Sequence, residues 1–169
     1  LNQPAAAERN FQSFCSALRP LLTAHDDCLL QLDEVQDDFA EVMQAQMETM
    51  WAAKLGLDAF NAELFNELET LMAQTPVDYT VFFRELSTVP EDIRPLKKSF
   101  YKKLTSAEAA RPWMHGAAPE GLDKRWSEWL KKWKSLIGIG STAAANGATL
   151  HSREELSKKM KLVNPKYTM

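Results

Sequence analysis

The chain is expected to fold as an all-α protein, an irregular multi-helix domain, on three observations. Apolar residues recur on a 3.6-residue period in one segment after another. Capping residues and helix breakers stand at the ends of those segments. A length of 169 residues with 45% hydrophobic residues also suits a single domain with a real core.

The first helix is expected over residues 7–22, with Phe11, Phe14, Cys15, Leu18 and Leu22 on one side. Pro20 removes an amide and clashes with the preceding turn, so a kink or stop is expected around Leu18. Asp26 or Asp27 can cap a long second helix through Lys54. Leu32, Val35, Phe39, Val42, Met43 and Met50 would face inward. Its other face carries Asp33, Glu34, Asp37, Asp38, Glu41 and Glu48. That row lacks histidine partners and a tight loop, and metal-binding bundles draw inward acids from several helices, so it reads as a solvated face. Met43, Met47, Met50 and Trp51 sit at helical spacing and read as core rather than as an adaptable binding groove.

Gly56 ends the second helix, and Asp58 is expected to cap a third that starts there. Phe60, Leu64, Leu68, Leu71 and Met72 form its buried stripe, and Pro76 closes it. Asp78 or Thr80 then caps a shorter helix with Val81, Phe82, Phe83 and Leu86 inward, folding back on the one before. Arg84 lies in it, a guanidinium able to pair with Asp78 or another carboxylate, and reads as structural.

Residues 87–95, with Pro90 and Pro95, read as a loop. A helix is expected over 96–110, with Leu96, Phe100, Tyr101 and Leu104 inward and Lys97, Lys98, Lys102 and Lys103 outward. Residues 111–121 hold Pro112, Gly116, Pro119 and Gly121, too many breakers for a regular element. His115 lies there, and neither His25 nor His151 stands at ligand spacing from it. Over 122–137, Leu122, Trp126, Trp129, Leu130, Trp133 and Ile137 make a wide aromatic stripe opposite Lys124, Arg125, Lys131, Lys132 and Lys134. In isolation such a helix suits a membrane surface or a partner protein; inside a globular chain its tryptophans anchor it to the core.

Residues 138–149 have the composition of a flexible linker and lack the Gly-Lys-Ser/Thr of a phosphate-binding loop. Ser152 and Glu155 form a capping box, so a last helix starts at Arg153. Leu156, Met160 and Val163 would point inward and Lys158, Lys159 and Lys161 outward, with Asn164-Pro165 as the stop. The 169 residues thus read as one helical segment in five stretches. An acidic helical part ending in a basic helix covers 1–110, and a loop covers 111–121. The tryptophan helix covers 122–137, the linker 138–149, and the capped helix with a truncated end 150–169. The chain begins at Leu1 and stops at Met169 within what reads as a helix start, so both ends are expected to be cut.

Charge is unevenly distributed. Residues 1–95 hold 17 acids and 5 bases, a balance of −12, whereas 96–169 hold 6 acids and 15 bases, a balance of +9. A basic half can meet an anionic partner, but no aromatic and basic pattern of a nucleic-acid module is present, so the halves are expected to face each other or water. No nucleic-acid partner is expected. No apolar run approaches the ~20 residues that cross a bilayer, so no transmembrane segment is expected either. The two cysteines, Cys15 and Cys28, have neither disulfide-framework number nor zinc spacing and read as reduced, partly buried thiols. No serine, histidine and acid arrangement, zinc signature or dinucleotide fingerprint is present. The residues themselves nominate no catalytic, cofactor-binding or metal-binding side chain.

Four blocks carry a resemblance. Lys54-Leu55-Gly56-Leu57, the Leu71-Met72 helix end, Val77-Asp78-Tyr79-Thr80 with Phe82-Phe83-Arg84, and Val163-Asn164-Pro165-Lys166-Tyr167 are similar to the selenoprotein O family. The match runs in order over most of the chain, strongest in 50–86 and 159–169. The resemblance implies a kinase-like fold that transfers AMP from ATP, with magnesium or manganese, to Ser, Thr or Tyr hydroxyls of proteins. This chain would be a carboxy-terminal helical part of its C-lobe. The family's phosphate loop, ion-paired lysine and glutamate, and metal-binding aspartate and asparagine would lie upstream, and none of them can be placed on this sequence. Its partners would be the upstream kinase-like lobe and, through the parent, the protein substrates. This segment alone would bind no ATP or metal and would not be an enzyme. The family's reactive cysteine or selenocysteine lies nearer the true carboxy terminus than Cys15 or Cys28. After Asn164-Pro165 the family continues into another helix. The location implied is mitochondrial for a eukaryotic member and cytoplasmic for a bacterial one, with the glycine-containing insertion over 138–147 favouring a eukaryote. The competing reading is a non-catalytic helical interaction module that uses the tryptophan helix or the basic half.

Overall fold

In the computed structural model, residues 3–100, 121–138 and 152–164 are described. They form six α-helices: α1 (Gln3–Leu22), α2 (Asp26–Leu55), α3 (Ala62–Gln74), α4 (Tyr79–Leu86), α5 (Leu122–Leu136) and α6 (Arg153–Val163). A 3-10 turn spans Leu96–Ser99, and no strand occurs among the described residues beyond one isolated bridge between Val77 and Phe100. The chain divides into two compact units, Leu1–Met50 and Trp51–Met169, with the division falling inside α2.

The first unit is an antiparallel pair of helices. Phe11 stacks on Phe39 with ring centroids 4.6 Å apart, and Arg19 pairs with Asp33. Cys15 is fully buried and Cys28 exposed, and both are free thiols. The helix starts earlier than the spacing suggested and runs through Pro20 to Leu22 rather than stopping at Leu18. Pro20 lies in the last turn, so the bond it cannot make is lost at the helix end and no further turn depends on it, and its carbonyl accepts the Thr23 hydroxyl at 3.2 Å.

The inward sets also need correction. Phe14 is exposed, as are Val35, Val42 and Met50, whereas Asp33 of the acidic row pairs with Arg19 across one flank of the two helices. A helix with one helical neighbour covers one arc of its surface. On α2 that arc holds Leu29, Leu32, Phe39 and Met43.

The second unit holds the core of Leu55, Leu64, Leu68, Leu71, Phe82, Phe83, Leu86, Val89, Leu96, Trp126, Trp129, Leu130, Trp133, Ile137, Leu156 and Met160. α3 starts at Ala62, capped by Asn61, whose side chain accepts the Leu64 amide at 2.8 Å; Asp58 is not its cap. It ends at Gln74, just before Pro76. Asp78 caps α4 by accepting the Val81 amide at 2.9 Å, and Phe82, Phe83 and Leu86 are buried while Val81 is exposed. α4 packs on the 3-10 turn and α3 on α5, and the buried residues of α3 and α4 share one core.

Residues 96–110 do not begin as an α-helix. Leu96–Ser99 is a 3-10 turn whose Ser99 carbonyl accepts the Asp78 amide at 2.7 Å, and Phe100 is in extended backbone against Val77. Tyr101, Leu104 and the expected loop and linker over 111–120 and 139–149 lie outside the described residues.

α5 confirms the aromatic stripe. Trp126, Trp129 and Trp133 are each no more than 2% exposed, so the apolar face of this helix is core and is closed to a membrane or partner. The indole N–H groups are satisfied in series: Trp126 donates to the Thr75 hydroxyl (3.0 Å), Trp129 to the Leu64 carbonyl (3.0 Å) and Trp133 to the Leu55 carbonyl (2.7 Å). α6 carries the full Ser152–Glu155 capping box, buries Leu156 and Met160, and ends at Asn164.

Candidate functional site

Three of the four sequence blocks meet at the carboxy-terminal ends of α2 and α6. A helix leaves its last four carbonyls without intrahelical partners. In α2 these belong to Ala52, Ala53, Lys54 and Leu55, and each finds a different donor. The Leu57 amide donates to Ala52 (2.9 Å) and the Gly56 amide to Ala53 (3.1 Å), the paired bonds of a glycine-terminated helix with Gly56 at φ +67°. The Asn164 side-chain amide donates to Lys54 (2.9 Å), and the Trp133 indole to Leu55 (2.7 Å). The Lys-Leu-Gly-Leu block is therefore a helix end whose last two carbonyls are closed from α6 and α5.

Asn164 is the hub. Its amide also donates to the Ser87 hydroxyl (3.2 Å), and its side-chain oxygen accepts the Lys54 ammonium (3.3 Å). Its backbone carbonyl accepts Arg84 (3.2 Å), and its backbone amide donates to Met160 (2.8 Å). Ser87 in turn donates to the Phe83 carbonyl (2.7 Å), and its own carbonyl accepts the Ser157 hydroxyl (2.6 Å). Arg84 thus pairs with the end of α6, not with Asp78, whose carboxylate is committed to its cap. Two cations, Lys54 and Arg84, converge on the negative end of the α6 dipole.

The Lys54 ammonium also lies 5.5 Å from the ring centres of Tyr79 and Phe83. Burial holds this ammonium below the ordinary lysine range, and burial likewise pushes the Tyr79 phenol up to about 12. Gly56 packs without clearance. A Cβ there would come 2.8 Å from Leu156 Cδ1 and Met160 Sδ. The junction holds no nucleophile beside a base, and its polar groups are spent on one another. What it can do chemically is fix α6 to α2 and α4.

Elsewhere in the second unit the basic and acidic stretches face each other, as one of the two charge expectations had it. Lys132 bridges Glu63 (2.7 Å) and Glu67 (2.8 Å), and these two hydrogen bonds raise its ammonium above the usual range. This bridge sits in a groove of about 540 Å³ between α3 and α5 that also touches Arg125 and Trp129. Glu91 binds Lys134 (3.1 Å) and Arg153 (2.5 Å), and the Lys134 hydrogen bond is the main reason its carboxyl is lowered. Arg153 also holds the carbonyl of Val89 (2.5 Å), a buried β-branched residue at φ +53°. Among the described residues, no group of three or more His, Cys, Asp or Glu side chains could hold a metal ion. No described helix is long and apolar enough to cross a membrane.

Sequence reasoning singled out Arg84 and the Asn164 block without finding what joins them. Ser87, the C-cap of α4, and Ser157, inside α6, carry no pattern in the sequence that marks them.

Comparison with known proteins places these observations. The family described as protein adenylyltransferase SelO matches residues 1–169. The protein nucleotidyltransferase YdiU of Aromatoleum aromaticum is 35% identical over 114 residues, 64% of this chain and 21% of that protein. The same-named protein of Flavobacterium johnsoniae is 27% identical over 177 residues, and that of Vibrio vulnificus 29% over 170. These two matches cover 99% of this chain and 29% of each relative, so the chain spans less than a third of the relatives' length. No solved structure matches the chain.

Proposed function

The chain belongs to the SelO family, and from that premise we propose that it is the carboxy-terminal helical part of a protein adenylyltransferase. It packs against the kinase-like lobe without supplying the chemistry. In this reading the parent moves AMP from ATP to a Ser, Thr or Tyr hydroxyl of a protein. A divalent magnesium or manganese ion neutralises phosphate charge, and the residues that bind nucleotide and metal lie outside 1–169. In this reading no step of the transfer falls to this chain's side chains. The location that goes with the reading is mitochondrial in a eukaryote and cytoplasmic in a bacterium.

The observation that carries the structural role is the junction at Asn164. Three of the four blocks that carry the resemblance close α2, α4 and α6 onto one another. The alternative of a free-standing interaction module loses its tryptophan face, which is core. The test is calorimetric titration of magnesium-ATP into the product of the complete reading frame and into residues 1–169. Binding by the complete product alone is expected, together with a kinase-like lysine, glutamate and metal-binding acid encoded upstream. Binding by residues 1–169 would refute the assignment of the site to the rest of the parent.

A further inference from the structure

We infer that one side of the α1–α2 pair seats a cationic amphipathic helix from the part of the same protein outside residues 1–169. This rests on the reading that the chain is one part of a longer adenylyltransferase. Phe14 and Leu21, seven residues apart on α1, are 57% and 75% exposed; Val35 and Val42, seven apart on α2, are each 56% exposed.

Helix geometry puts all four on one side of the hairpin. Taking the buried arcs of the two helices as facing each other, these residues are rotated by roughly a quarter turn from the contact direction in the same sense. In an antiparallel pair, equal rotations point to the same side. Arg19 and Asp33 are rotated in the opposite sense and pair across the other side, which corroborates the construction. The apolar side runs from the level of Leu21 to that of Val42, about 12 residues or ~18 Å of helix, enough for three turns of a third helix. Two helices alone leave such flanks uncovered, whereas a third completes a bundle.

Charge selects the occupant. Residues 1–50 carry nine acids and two bases. Asp38 stands at i+3 from Val35 and i−4 from Val42, with Glu34 and Glu41 beside the two valines, and all three carboxylates are exposed. A covering helix meets this rim with lysine or arginine flanking its apolar stripe. A second copy pairing through the same face of the hairpin would bring the same acids and be repelled.

The test is hydrogen–deuterium exchange of α1 and α2 amides in the complete product and in residues 1–169, with AMP transfer measured on the same samples. The complete product is expected to exchange roughly tenfold more slowly around residues 14–21 and 35–42. Val35→Lys with Val42→Lys, at positions already exposed, is expected to return exchange in the complete product to the level of residues 1–169 while leaving the helicity of the latter unchanged. Glu34→Lys with Asp38→Lys is expected to raise exchange in part, and added salt to do the same to the unsubstituted complete product. Equal exchange in the two lengths, or a valine double variant that changes nothing in the complete product, overturns the inference. AMP transfer with an unprotected hairpin refutes the docking alone; a protected hairpin without AMP transfer supports the docking and refutes the enzymatic reading alone.

Discussion

Replacing Asn164 by alanine removes a 4%-exposed amide that makes three side-chain hydrogen bonds, to the Lys54 carbonyl, the Lys54 ammonium and the Ser87 hydroxyl. The backbone carbonyl that Arg84 uses remains, so the loss is confined to the side chain. A net hydrogen bond contributes about 1 kcal/mol, and a buried carbonyl left without a donor costs about 1–3 kcal/mol. The Lys54 carbonyl is one of the four orphans at the end of α2 and Asn164 is its side-chain donor, which puts the total near 3 kcal/mol. For a unit of this size that is about 12 °C in Tm, at about 4 °C per kcal/mol. Urea unfolding followed by far-ultraviolet circular dichroism gives the free energy directly, with an unchanged m-value showing that the native fold persists. A double-mutant cycle with Ser87→Ala should return a coupling of about 1 kcal/mol. A loss below about 0.5 kcal/mol for Asn164→Ala, or additivity with Ser87→Ala, would refute the hub.

Gly56→Ala combines an unfavourable positive φ with a Cβ 2.8 Å from Leu156 and Met160; a loss of about 2–4 kcal/mol is expected in the same assay. Trp133→Phe keeps most of the ring but leaves the Leu55 carbonyl without its indole donor, and should cost about 1–3 kcal/mol, whereas truncation to alanine should cost about 3–5 kcal/mol. Tyr79 has a folded pKa raised to about 12 from an ordinary 10, so the folded state holds its proton when the unfolded state has released it. Its contribution is complete below pH 10 and lost as pH rises through 12, and urea midpoints of wild type should fall relative to Tyr79→Phe across that window. The lowered ammonium of Lys54 works with the opposite sign near its ordinary value, which the comparison with Tyr79→Phe cancels.

Much of the second unit was legible because its signals are local. The Asp78 cap, the Ser152–Glu155 box, the stop at Gly56 and the six-residue aromatic stripe of α5 each depend on neighbours within two turns. One cap was misplaced: Asp58 was expected, and Asn61 holds the position. Asn61 caps α3 although Asp58 precedes it, because either start leaves Leu64, Leu68 and Leu71 on the same face. Periodicity also marks which residues are apolar, not which are covered. Val35 and Val42 keep helical spacing with Phe39, yet α1 covers only the Phe39 arc. The 3-10 turn at Leu96–Ser99 and the bridge of Phe100 to Val77 are tertiary choices that overrode a plausible helix pattern. The junction was half legible: its blocks stood out, but Asn164 and Ser87 lie 77 residues apart, and nothing in the spacing of the text says that they touch.

This chain is proposed to support an AMP-transferring parent without performing the transfer. Label from ATP carrying a radioactive α-phosphate, with magnesium or manganese, tests it on the complete product and on residues 1–169. Label on protein from the complete product and none from residues 1–169 is the predicted result. Transfer by residues 1–169 alone would contradict the supporting role, and transfer by neither would contradict the adenylyltransferase reading.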